Sequence, residues 1–96
     1  MSIEVQIDPR LRDFTRGQDI VEVNGNTIEQ CLEHLAGQFP GIRQWIFNKE
    51  GKLLVDLLIF VNGEFFASGE SIYQEKLAKR VKDGDKLAIL FVLGAG

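Results

Sequence analysis

The sequence predicts an α+β domain in which a mixed sheet of four to five strands carries one main helix on one face. Three observations predict it. Short β-rich runs with period-two alternation flank a single stretch, 28–39, whose apolar residues recur at spacings of three and four. The elements follow in the order strand, strand, helix, strand, short strand, strand, which lays the helix across the sheet and puts the two ends of the chain on neighbouring central strands. The last run, Leu87 to Leu93, is apolar without alternation, which predicts an interior strand buried on both faces.

Ile3, Val5 and Ile7 alternate with Glu4, Gln6 and Asp8, and Pro9 ends this first strand. The stretch 9–18, with Arg10, Arg12, Arg16 and Gly17, is longer than a tight hairpin and reads as a mobile loop. Ile20, Val21 and Val23 form a second strand, stopped by Asn24-Gly25-Asn26. Thr27 and Gln30 fit a capping box, in which hydroxyl and amide each satisfy a free N–H at a helix start. The helix then places Ile28, Cys31, Leu32, Leu35, Ala36 and Phe39 on one face, with Glu29, Gln30, Glu33, His34 and Gln38 on the other. Pro40-Gly41 stops it. Residues 42–47 predict a further helical turn and Asn48 to Gly51 a reverse turn. From Leu53 a strand runs to Asn62-Gly63, a hairpin signal because both residues accept positive φ, and Glu64–Phe66 returns. Segment 70–80 reads as irregular or helical, and Asp83-Gly84-Asp85 turns the chain into the final strand. No repeat, low-complexity segment or linker divides the chain, so a single domain over 1–96 is expected, ending in a flexible tail at 94–96.

The 96 residues are 45% hydrophobic and 26% charged, and a chain of this size buries about two thirds of its surface. The longest apolar runs, 57–61 and 87–93, are too short to span a bilayer, and no basic stretch with a long apolar follower opens the chain. A lone Cys31 cannot form an internal disulfide. A cytoplasmic location away from membranes is therefore expected. The net charge of −3 argues against nucleic acid as a partner, because sequence-independent binding draws on phosphate neutralisation. The glycines are scattered and the one histidine has no evident nucleophile at hand, so the chain is not expected to be an enzyme by itself. Cys31 reads as a small core residue and His34 as a solvated one, and together they make no metal site. Lys76, Lys79, Arg80, Lys82 and Lys86 form a basic run that reads as a solvated face able to steer an acidic partner surface. Phe60, Phe65, Phe66 and Phe91 are core or half-exposed, and any left exposed near the tail are candidate anchors of an interface.

"TIEQCLEHLAGQFP", "LLIFVNGE" and above all "VKDGDKLAILFVLGAG" carry a resemblance along the whole chain. The sequence resembles the ubiquitin-like β-grasp sulfur carriers of the MoaD/ThiS type, and stretch 40–56 makes it more similar to the molybdopterin synthase small subunit than to the compact thiamine carriers. The resemblance implies that an E1-like adenylating enzyme, using ATP, couples the Gly96 carboxylate to AMP. A sulfur donor then converts it to a thiocarboxylate, and the sulfur passes to a molybdopterin synthase large subunit or another sulfur-accepting enzyme. The carrier itself is expected to bind no cofactor and no metal. A tail that threads an active-site channel in extended form needs small residues, and Gly94, Ala95 and Gly96 meet that need. Phe91, Leu93, Lys79, Arg80 and Lys82 are the candidate docking residues. The family ends in Gly-Gly, whereas Ala95 stands before Gly96 here. Either a matched partner accepts its methyl, or the chain serves as a β-grasp interaction module that is never activated; a conjugated ubiquitin-like modifier would share the same tail.

Overall fold

Strand β1 (Ser2–Ile7) buries Ile3, Val5 and Ile7 completely and exposes Glu4 and Gln6. It pairs antiparallel with β2 (Ile20–Asn24), setting Ile3 opposite Val23 and Val5 opposite Val21, so both strands turn their apolar residues to one side. The computed structural model describes residues 2–69 and 74–91. Between β1 and β2 the chain departs from the expected mobile loop. Pro9–Thr15 is a 3-10 helix. The Asp8 carboxylate accepts the Arg10 N–H at its start, Pro9 occupies a position that needs no N–H, and Leu11 and Thr15 are buried. The Thr15 hydroxyl donates to the Gln18 carbonyl at 2.8 Å and so holds the exit from this turn.

Helix α1 (Ile28–Gln38) starts where the capping box predicts. Thr27 Oγ1 accepts the Gln30 N–H at 3.2 Å, while Gln30 Oε1 reaches one residue further back and accepts the Asn26 N–H at 2.8 Å. Ile28, Cys31, Leu32, Leu35 and Ala36 are buried in the core that the sheet forms with the helix. His34, expected to be solvated, is half-buried, and its Nδ1 accepts the Asn24 N–H at 2.8 Å. That bond ties the helix to the end of β2. A second 3-10 helix, Pro40–Trp45, follows directly and buries Ile42.

Strand β3 (Leu57–Val61) is shorter than the predicted run from Leu53. Leu53 instead makes an isolated bridge to Phe47, and Gly69 packs so tightly on the Leu54 carbonyl that a Cβ there has no room. The predicted hairpin forms at Asn62 and Gly63, with φ of 51° and 84°, and leads into β4 (Glu64–Ser68). A four-residue helix, α2 (Gln74–Leu77), precedes β5 (Lys86–Phe91).

The sheet order is β2-β1-β5-β3-β4. Strand β5 lies centrally, parallel to β1 and antiparallel to β3, as its apolar run predicts. Its burial, however, is one-sided. Leu87 and Ile89 are buried against α1, whereas Ala88 and Leu90 on the other face are half-exposed. Among the described residues one long helix covers one face, and no second layer covers the other.

Candidate functional site

The site is built on the Phe91 end of β5. Leu93, Gly94, Ala95 and Gly96, singled out by the sequence, lie outside the described residues; the structure positions the base from which they follow. Phe91 pairs with Leu57 of β3 on one side, and its own N–H and C=O point to the other, towards β1. There the backbone ladder has run out. The parallel pairing stops at Ile7 opposite Ile89, because Pro9 has no N–H and turns the chain away.

Two side chains stand in for the missing strand. Asp8 Oδ2 accepts the Phe91 N–H at 2.8 Å, and Arg10 Nη2 donates to the Phe91 carbonyl at 3.1 Å. The same carboxylate accepts the Arg10 N–H at 2.8 Å, accepts Arg10 Nε at 3.2 Å and pairs with Nη2 at 3.0 Å. Asp8 is only 3% exposed. Burial pushes its carboxyl up, but the bonds from Arg10 and Phe91 and the guanidinium charge together outweigh this and hold it below its ordinary 3.8. The guanidinium lies 5.5 Å from the Phe91 ring centroid, within cation–π range. Trp45 meets the Phe91 ring edge-on at 6.3 Å and touches Phe14 at 5.9 Å, so both 3-10 helices converge on this strand end.

The face of the sheet away from α1 is divided. Its β5-β3-β4 half is apolar: Leu58 and Phe60 lie beside Leu90 and Ala88, and Phe65 meets Phe60 edge-on at 5.7 Å. Phe65 is 57% exposed. Its β1-β2 half presents Glu4, Gln6 and Glu22 together with one exposed apolar residue, Ile20, opposite Gln6. A shallow, largely apolar groove lined by Asp8, Pro9, Arg10, Leu90 and Phe91 joins the apolar half to the strand end.

Of the residues the sequence proposed for docking, the structure places Phe91, partly buried, at this end. Lys79, Arg80 and Lys82 stand elsewhere. They line a surface with Val61, Asn62 and Asp85 at the other end of β5, about 16 Å along the strand from Phe91. Asp85 is bonded there by the Lys82 N–H at 2.9 Å and by the Asn62 amide at 3.2 Å. Cys31 is fully buried, and burial pushes its thiol up from its ordinary value. Among the described residues no three His, Cys, Asp or Glu side chains converge as metal ligands, and no helix is long and apolar enough to cross a membrane. The Asp8–Arg10 pair was missed in the sequence because Pro9 reads as a strand end. The available signal was Asp immediately before Pro, the signature of a helix cap.

A five-stranded mixed sheet in the order β2-β1-β5-β3-β4 with one helix across a single face is the ubiquitin-like β-grasp. No protein-family model matches the chain. The sulfur carrier protein CysO of Mycobacterium bovis is 30% identical over 98 aligned positions that cover 100% of both chains. The crystal structure of the BexX/CysO complex of Amycolatopsis orientalis contains a chain that superposes with a TM-score of 0.77 at 30% identity, covering 98% of this chain and 99% of that one. Two further likenesses are of fold alone: SAMP1 of Haloferax volcanii, with a TM-score of 0.81 at 24% identity over 100% of both chains, and a complex of subunits 1 and 2 of the Helicobacter pylori molybdopterin-converting factor, with a TM-score of 0.61 at 18% identity over 100% of both chains. The chain belongs to the CysO-type family of ubiquitin-like sulfur carriers, whose members are carriers rather than catalysts.

Proposed function

We propose that this chain carries sulfur as a thiocarboxylate on Gly96. The observation that carries the reading is the full-length match to CysO carriers. In this scheme an E1-like partner uses ATP to join the Gly96 carboxylate to AMP with release of pyrophosphate, and a sulfur donor then displaces AMP. The carrier contributes geometry rather than catalysis: β5 supplies a fixed base, and Gly94, Ala95 and Gly96 supply a tail narrow enough for a partner's channel. Ordering three tail residues costs roughly 3–6 kcal/mol, so a docking surface must offset it. The apolar half of the open face, with Phe65 as anchor, suits that role, while Phe91, which lies on the opposite side of the strand with Leu87 and Ile89, and Leu93 are proposed as contacts made when the tail is engaged. Lys79, Arg80 and Lys82 are proposed as a separate steering patch for acidic partner surfaces.

The sulfur acceptor is a second partner protein in a cytoplasmic pathway. A molybdopterin synthase large subunit is the acceptor the sequence resemblance implied. The likeness to a chain of the molybdopterin-converting factor, at 18% identity, is one of fold, whereas the 30% identity to CysO supports a sulfur-accepting enzyme other than a molybdopterin synthase large subunit.

Tandem mass spectrometry of the C-terminal peptide, from protein isolated from its own cells, tests the reading. Oxygen-to-sulfur exchange localised to Gly96 is expected. A free carboxylate that purified adenylating enzyme and ATP also leave untouched would instead favour an interaction module, and isopeptide adducts on target lysines would favour a modifier. Removing Gly96 should abolish adenylation with the fold intact; equal activation of the shortened chain would defeat the proposal.

A further inference from the structure

The bonds around Phe91 carry a further inference. Side chains ordinarily cap helices or fill cores, yet here a carboxylate and a guanidinium continue a β-ladder where the neighbouring backbone has left it. Asp8 supplies the acceptor that a strand carbonyl would offer, and Arg10 supplies the donor that a strand N–H would offer. Both fall on the backbone of one residue, Phe91, the last described residue of β5, which stands five positions before Gly96. Four protein N–H groups converge on the Asp8 carboxylate, three from Arg10 and one from Phe91, so the two side chains hold each other as well as the strand. The Phe91 ring is held too, beneath the guanidinium and against Trp45.

We propose that Asp8 and Arg10 are positioning residues for the tail: as a side-chain substitute for the absent strand, they fix the direction in which the chain leaves Phe91 for Gly96. The role of that direction in adenylation rests on the carrier reading above, whereas the clamp itself does not. Without the clamp the end of β5 is paired on the β3 side only. One more residue must then be ordered each time the tail enters a partner's active site, which corresponds to about 5–30-fold in rate. Because the proposed docking anchor, Phe65, lies on the opposite face of the sheet from the clamped Phe91 ring, the loss belongs to kcat rather than KM.

The test compares full-length wild type with Arg10→Ala, Arg10→Lys and Asp8→Asn. Adenylation by the purified adenylating enzyme of the same organism is measured beside amide hydrogen exchange at Phe91 and Ile89. The Arg10 side chain is 50% exposed, so Arg10→Ala carries the test even if the buried Asp8→Asn fails to fold. Arg10→Ala and Asp8→Asn are expected to lower kcat by about 5–30-fold with KM within about twofold, and to speed Phe91 exchange similarly while leaving Ile89 unchanged. Arg10→Lys, which keeps one donor, should recover part of both effects. An unchanged kcat, or Phe91 exchange as slow as in wild type, overturns the proposal. A rise in KM alone also overturns it, because Arg10 would then be a docking contact. If wild type itself is not adenylated, the carrier reading falls; Phe91 exchange then decides the clamp alone, faster exchange in the variants upholding it and unchanged exchange removing it.

Discussion

Asp8 combines burial with four hydrogen bonds, and its titration follows from that combination. The folded chain holds its carboxyl below 3.8 with Arg10 as the charged group against it, so the unfolded chain binds the proton more tightly. The stabilisation is therefore fully present above about pH 5, begins to fall as pH approaches the unfolded value and is lost as pH falls through the folded value. Asp85, lowered first by the Lys82 N–H and then by the Asn62 amide, adds to the same acid window. The urea midpoint of wild type should fall more steeply between about pH 5 and pH 2 than that of Asp8→Asn, and parallel curves would remove Asp8 from the account. A second residue-scale prediction concerns Gly25. An added Cβ would stand 2.9 Å from both the backbone nitrogen and the Sγ of Cys31. Gly25→Ala should destabilise by about 1–3 kcal/mol in urea titration, the range for overpacking a tight site.

Among the elements, those with a complete local signature formed where the sequence placed them. Thr27 caps α1 through its hydroxyl, and Thr27→Ala should cost about 1 kcal/mol. The β3-β4 hairpin depends on Gly63 at φ 84°, where no atom lies within 4 Å of an added Cβ, so the penalty of a side chain is conformational alone. Gly63→Ala should lower stability by about 1–2 kcal/mol and Tm by about 4–8 °C per kcal/mol, measured by thermal denaturation. The segment after β1 differed from expectation because its helix is short and its anchor, the burial of Leu11, comes from tertiary packing. A 3-10 turn of seven residues carries too little periodicity to announce itself.

For the whole molecule, the decisive feature is a sheet with one face covered by α1 and the other left open among the described residues. Phe65, exposed on the apolar half, should anchor the activating partner: Phe65→Ser is expected to weaken that complex by about tenfold or more with Tm nearly unchanged, as calorimetric titration would measure. The sequence by itself determined the strands, the main helix, its cap and the Asn62-Gly63 turn, because alternation, 3.6-residue periodicity and turn chemistry are local properties. It also placed β5 centrally, since an apolar run without alternation suits an interior strand. Only the tertiary structure decided that β5 is covered on one face, because one long helix can cover only one side. It likewise brought Asp8 and Arg10 to Phe91, 83 and 81 residues away along the chain. That meeting arises from the parallel register of β1 with β5, a pairing between distant segments that no local pattern of residues encodes.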